Sequence, residues 1–161
     1  MPVLFERRSP DDDPDAASLG STAVVLGPPD QPPPGPAVHR GVFEELSSFS
    51  RRDGADPDPL AAAGIMLVLL NNLAPEREAE FEAWYEGVHM PDVTAAAGFW
   101  GARRYRNVAT DPGPGSAGYM AIYVTENPDV MAEYAGVRAA APGWVRWPHS
   151  GRVHVACYER R

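Results

Sequence analysis

A chain of 161 residues can hold one domain with a sizeable core, but its 18 prolines crowd toward the first sixty positions, so the packed part is shorter than the chain. The formal net charge of −8, with 14 basic residues that are all arginine and scattered rather than striped, excludes a broad basic surface and with it nucleic acid as a partner. No apolar run reaches the roughly 20 residues that span a bilayer, and Met1 to Arg8 lacks the apolar region of a signal peptide; this excludes a membrane and points to a soluble, cytoplasmic protein.

Residues 1–60 read as a Pro/Asp-rich N-terminal extension with room for one short strand and one short helix. Within it, 9–36 has linker composition interrupted by a single apolar run, Ala23 to Leu26. Apolar residues at 38, 42, 46 and 49 predict the short helix over Val38 to Phe49, and Arg51 to Pro59 returns to turn composition. The domain proper is expected over 61–161. It opens with GIMLVLL, Gly64 to Leu70, a continuous apolar run suited to a central strand. Asn71 to Pro75 supplies turn residues, and a helix follows to about Met90 with Phe81, Trp84, Tyr85 and Val88 on its apolar side. Pro91 is expected to break or kink that helix. Phe99 to Asn107 reads as the second strand, Asp111 to Gly115 as a turn, and Tyr119 to Thr125 as the third strand. A second helix is placed at Pro128 to Ala140 and a last strand at Val153 to Glu159. The order β-α-β-β-α-β predicts an α+β, ferredoxin-like antiparallel sheet with both helices on one face. The other face then needs a cover: the N-terminal arm or, more commonly, a second copy in a face-to-face homodimer.

The sharpest chemical signal is VHMPDV, Val88 to Val93. His89 lies four residues after Tyr85 and eight after Phe81, on the apolar side of the helix, next to the expected kink. A histidine placed there is a candidate general acid or base with Asp92 to orient it; the competing reading is a satisfied core histidine or helix cap. Trp84, Tyr85 and Phe81 read as core before substrate platform, Tyr85 having the stronger functional claim because a buried hydroxyl needs a partner. On the second strand, Phe99, Gly101, Arg103 and Tyr105 alternate with Trp100, Ala102, Arg104 and Arg106, so one arginine points to each side. The inward arginine can neutralise an enolate or carboxylate or form an ion pair with Glu86 or Asp92. Tyr119 and Tyr123 share a face of the third strand. Trp144 to His149 (WVRWPH) forms either a lid or a hydrophobic plug.

The segments FEAWYEGVHMPDV and GFWGARRYRN resemble the EthD-type branch of the dimeric α+β barrel proteins over roughly Gly64 to Arg160. The resemblance implies a homodimer with a small-molecule site between sheet and helices, in which His89 and Tyr85 assist proton transfer on a phenolic or enolic substrate. The expected catalytic set is His89, Tyr85 and Asp92. The expected substrate-binding set is Trp84, Phe81, Arg103, Tyr105, Tyr119, Tyr123 and Trp147. The function expected first is a cofactor-independent cyclase, isomerase, lyase or oxygenase acting on an aromatic or polyketide-like molecule. The alternatives are a non-catalytic ligand-binding or accessory protein and a dimeric scaffold. The absence of lysine removes Schiff-base chemistry. The single Cys157 sits in the apolar alternation of Val153 and Val155, where an inert buried thiol outweighs a nucleophile. Neither His39 nor His154 has metal-ligand spacing, and no P-loop or G-x-G-x-x-G occurs, so no metal and no cofactor are expected, haem being the weakest of these exclusions.

Overall fold

The computed structural model describes residues 3–8, 23–26, 41–108 and 117–160. The turn expected at 111–115, His39, and most of the proline-rich stretch 9–36 lie outside the described residues. Among the described residues there are seven strands: β1 (Val3–Arg8), β2 (Ala23–Leu26), β3 (Phe43–Ser50), β4 (Gly64–Asn72), β5 (Gly101–Asn107), β6 (Tyr119–Thr125) and β7 (Ser150–Arg160). They form one sheet in the order β2-β1-β7-β4-β6-β5-β3, and every neighbouring pair is antiparallel. Two helical stretches complete the α+β fold. The first, α1, runs from a 3-10 turn at Pro75–Arg77 through Glu78–Trp84, a π turn at Tyr85–His89 and a last α segment at Met90–Ala96. The second, α2, is Val130–Ala140, and Asp129 caps it by accepting the Ala132 N–H.

Alternation along the strands divides the interior in two. On the helix side, Met66 and Leu70 of β4, Ala102 of β5, Ala121 and Tyr123 of β6 and Cys157 of β7 pack against Phe81, Tyr85, Met90 and Val93 of α1 and Val130 and Val137 of α2. Both helices therefore cover one face. On the other face, Ile65, Ile122, Val124 and Tyr158 are each at most 2 % exposed within the single chain. β4 is buried on both sides, which accounts for its unbroken apolar run, and each such side chain contributes about 1.5–3 kcal/mol.

Two expectations need correction. The helix predicted over Val38 to Phe49 is replaced by a strand: β3 pairs with β5 from Phe43↔Asn107 to Ser50↔Gly101, with a bulge between Glu45 and Ser47. The bulge explains the misreading. It breaks the two-residue alternation and sets Leu46 and Phe49 three apart, which together with Val42 imitates a helical stripe. The first helix, moreover, continues past Met90 to Ala96, because Pro91 falls in the first turn of the last segment, where a missing N–H is tolerated. Strands β1, β2 and β3 of the first sixty residues join the same sheet as the rest, β1 pairing with β7 and with β2.

Gly101 begins β5 beneath the loop that follows β3, where a Cβ would stand 2.7 Å from Pro57 Cβ and 3.0 Å from the Phe49 carbonyl oxygen. Gly101→Ala is expected to destabilise the protein by about 1–3 kcal/mol, read as a lower urea midpoint at unchanged slope; an unchanged midpoint contradicts this packing.

Candidate functional site

The buried apolar residues of α1 are Phe81, Tyr85, Met90 and Val93, spaced by four, five and three. An α-helix accommodates steps of three or four on one face. The step of five carries one residue too many, and the π turn absorbs it, with the Met90 N–H donating to the Tyr85 carbonyl. The side chains are re-aimed as a result. Residues five apart on an α-helix point about 140° from each other, yet Trp84 and His89 are stacked with ring centroids 4.8 Å apart and planes 23° from parallel. Arg51, just past β3, steadies this region by donating from Nε to Thr94 Oγ1 (3.0 Å) and from Nη2 to the Pro91 carbonyl (2.7 Å).

His89 is thus enclosed by rings. Trp84 covers its face, Tyr85 meets it edge-on at 4.9 Å, and Trp144 does so at 5.8 Å. The imidazole is half-buried and makes no hydrogen bond among the described residues. Burial lowers its pKa from 6.5 to about 4; the Asp92 carboxylate opposes the shift and the Arg104 charge adds to it. The ring is therefore neutral at physiological pH. Asp92 influences His89 through space, without the hydrogen bond that would orient it.

Beneath His89 lies a buried cation. Arg104 is 1 % exposed, with its guanidinium 4.3 Å from the Tyr85 ring centre, 5.6 Å from Phe81 and 5.9 Å from Tyr119. Glu82 grips it with both oxygens, Oε1 accepting from Nη2 at 3.1 Å, and Glu86 accepts from Nη1 at 3.2 Å. On the sheet side Tyr123 donates its hydroxyl proton to the Tyr85 oxygen at 3.3 Å, leaving the Tyr85 proton available to another acceptor. Burial raises the pKa of both tyrosines, so both are protonated. Tyr119 is pushed up to about 12 by burial and by the hydrogen bond it donates to Glu78.

The WVRWPH segment crosses over α1. Trp147 is buried against Phe81 at 5.8 Å and Trp84 at 6.3 Å, and its Nε1 donates to Asn72 Oδ1 at 3.1 Å. The same Asn72 oxygen accepts the Ala74 N–H, so one side chain ties the start of α1 to the crossing segment. Trp84 Nε1 donates to the Val145 carbonyl at 2.9 Å.

Of the expected residues, His89, Tyr85, Trp84, Phe81, Tyr119, Tyr123 and Trp147 come together on the helix side, and Asp92 lies at their edge. Arg103 and Tyr105 do not join them. They point to the opposite face, where Arg103 pairs with Glu45 and Asp56, and burial pushes Tyr105 up to about 12. The strand begins at Gly101, so its alternation is out of step with Phe99, and Arg104 takes the inward position. Arg104, Glu82 and Trp144 were not among the expected site residues. The signal that could have found Arg104 is its equal parity with the small, buried Ala102. Among the described residues no group of three or more side chains suited to a metal occurs, and no helix is long and apolar enough to cross a membrane.

Glu82→Ala strips the buried Arg104 of its two-oxygen partner and is expected to cost about 3–5 kcal/mol, measured by urea unfolding. A loss below about 1 kcal/mol would mean that Glu86 alone suffices. For His89, the folded state binds fewer protons than the unfolded one between pH 6.5 and about 4, so its contribution is fully present above 6.5 and is lost as pH falls through 4. His89→Phe should therefore flatten part of the stability decline across that window, and an imidazole NMR titration midpoint near 6.5 would contradict the assigned environment. No protein-family model matches the chain, and no curated protein matches it.

Proposed function

We propose that the chain is a cofactor-independent enzyme that moves a proton on an aromatic or polyketide-like small molecule, with His89 as the base and the Tyr85 hydroxyl as the donor to the developing oxyanion. The observation that carries this reading is the neutral, half-buried imidazole of His89, free of hydrogen bonds among the described residues and packed edge-on to Tyr85. A structural histidine in such surroundings is expected to spend its ring nitrogens on a carbonyl or carboxylate. This one keeps its acceptor lone pair for an incoming group.

The chemistry follows from the surroundings. An imidazole of pKa about 4 is a weak base, so its substrates are carbon or oxygen acids whose anions are themselves stabilised, such as activated phenols and β-dicarbonyl compounds. Removing the proton leaves an imidazolium beside an enolate, and in a ring-lined, water-poor setting that pair attracts strongly. Tyr85 lies where it can donate to the enolate oxygen, and the Arg104 charge behind its ring favours negative charge there. Arg104 itself, held by Glu82, is a positioning residue for Tyr85.

The same reading places the chain with the EthD-type dimeric barrels. The β4-α1-β5-β6-α2-β7 order, with sheet neighbours β7-β4-β6-β5, supports a ferredoxin-like core. A homodimer belongs to the proposal. Tyr85 and His89 are 4.9 Å apart on one helix, so the proposed acid and base come from the same protomer. A dimeric scaffold without chemistry is the second reading, favoured by the packing of Trp84, Trp147 and Phe81 against one another.

The test is deuterium exchange at the acidic carbon of a panel of β-dicarbonyl compounds and resorcinols in heavy water, followed by NMR. The wild-type protein should accelerate exchange of at least one of them, with kcat/KM rising through an acid limb near pH 4 and flat above it. His89→Ala should lower that rate at least about 100-fold and Tyr85→Phe about 10-fold. Binding without acceleration, or acceleration that survives His89→Ala, would sink the catalytic reading.

A further inference from the structure

Tyr85 is 1 % exposed and His89 half-buried, so a substrate reaching both must displace something. The crossing segment identifies what moves, because its two halves are held unequally. Trp147 to His149 is fixed: Trp147 is buried and bonded to Asn72, the His149 carbonyl accepts the Leu73 N–H at 2.7 Å, and Arg77 lies over the Trp147 ring and meets the His149 ring nitrogen at 3.2 Å. Trp144 to Arg146 is tied lightly. Val145 is 66 % exposed, its carbonyl takes one hydrogen bond from Trp84, and the half-buried Trp144 indole makes no side-chain hydrogen bond among the described residues. Just before it, Gly143 carries no side chain and stands in open space, and a single backbone bond, from the Trp144 N–H to the Ala141 carbonyl at 3.1 Å, closes the turn.

We propose that the Trp144 indole is a stand-in for the ligand: its seat, edge-on to His89 beside Trp84 and Tyr85, is the binding site for the planar ring of the substrate, a one- or two-ring aromatic that enters when residues 144–146 swing out. This deepens the proton-transfer reading by assigning the ring's seat, and it rests on His89 being the group that meets the substrate. Two features carry it. An indole already fits the place against the imidazole, with ring planes 87° apart, an edge-to-face geometry that any flat aromatic reproduces. The Trp144 indole N–H makes no hydrogen bond among the described residues, whereas those of Trp84 and Trp147 tie their rings to Val145 and Asn72, so no polar side-chain contact fixes this ring in its seat. Displacing Trp144 exchanges one ring contact for another, so the added cost is chiefly the Trp84 bond to Val145 and the bond from the Trp144 backbone N–H to the Ala141 carbonyl.

The experiment uses the full chain and 2-naphthol as the probe, with binding followed by NMR at the His89 imidazole. Wild-type protein should bind it weakly with the His89 signals shifted by the incoming ring. Trp144→Ala, which vacates the seat, should bind it at least tenfold more tightly with the same signals moved. Trp84→Phe keeps a stacking ring but removes the bond to Val145; it should also bind more tightly than wild type, and it provides the test if Trp144→Ala does not fold. Equal or weaker binding by the variants makes Trp144 a wall and overturns the proposal, as does binding that leaves His89 unmoved or no binding by any form. Tighter binding by Trp144→Ala without deuterium exchange on any substrate would leave the seat standing and remove only the catalytic reading.

Discussion

The arrangement on the helix side depends on one buried charge. Arg104 projects from β5, one strand in from the β3 edge of the sheet, into a space where water cannot reach it, and a guanidinium there is tolerable only if charges and rings close around it. Helix α1 supplies Glu82 and Glu86 from consecutive turns and Phe81 and Tyr85 from the intervening face, and the sheet adds Tyr119. Satisfying the cation fixes the rotation of α1 about its axis and its height above β5 and β6. Tyr85 is thereby pinned over Tyr123, and the residues that follow it have their direction set.

That direction also sets the surroundings of His89. The positive charge below and the loss of water around it both disfavour imidazolium, so His89 waits neutral, and the nearest carboxylate, Asp92, offsets only part of the effect. A single buried cation thus acts in two ways: it packs against the Tyr85 ring and holds it in place, and its charge disfavours protonation of His89. Aromatic packing supplies the rest, since Trp84, Trp144 and Trp147 exclude water while contributing no competing acceptors from their side chains.

Much of this was legible in the sequence because it depended on local pattern. The run Gly64 to Leu70, the alternation of Tyr119 to Thr125 and the stripe of Phe81, Trp84 and Tyr85 each announce an element and the face it buries, and His89 is marked by its place on that stripe. What the sequence hid were one-residue irregularities, which defeat periodic reading. The bulge in β3 disguised a strand as a helix. The late start of β5 at Gly101 reversed the sides of Arg103 and Arg104, drawing Arg103 and Tyr105 into a site they do not touch. The π turn concealed that Trp84, rather than a helical neighbour three or four residues away, is the partner stacked on His89. Pairings such as Asn72 with Trp147 join residues 75 positions apart and leave no trace in local composition.

The extra residue in α1 has a consequence for how such a site arises and disappears. Removing one residue from Tyr85–His89 turns the steps of four, five and three between buried side chains into four, four and three, so Phe81, Tyr85, Met90 and Val93 keep a regular helical stripe. Gly87 contributes no side chain to this turn. The loss of one codon there would leave a helix that still packs on the sheet, and the gain of one in a plain helix of this kind would introduce the wide turn. The scaffold and the aim of its histidine are in that sense separable inheritances, divided by a single insertion.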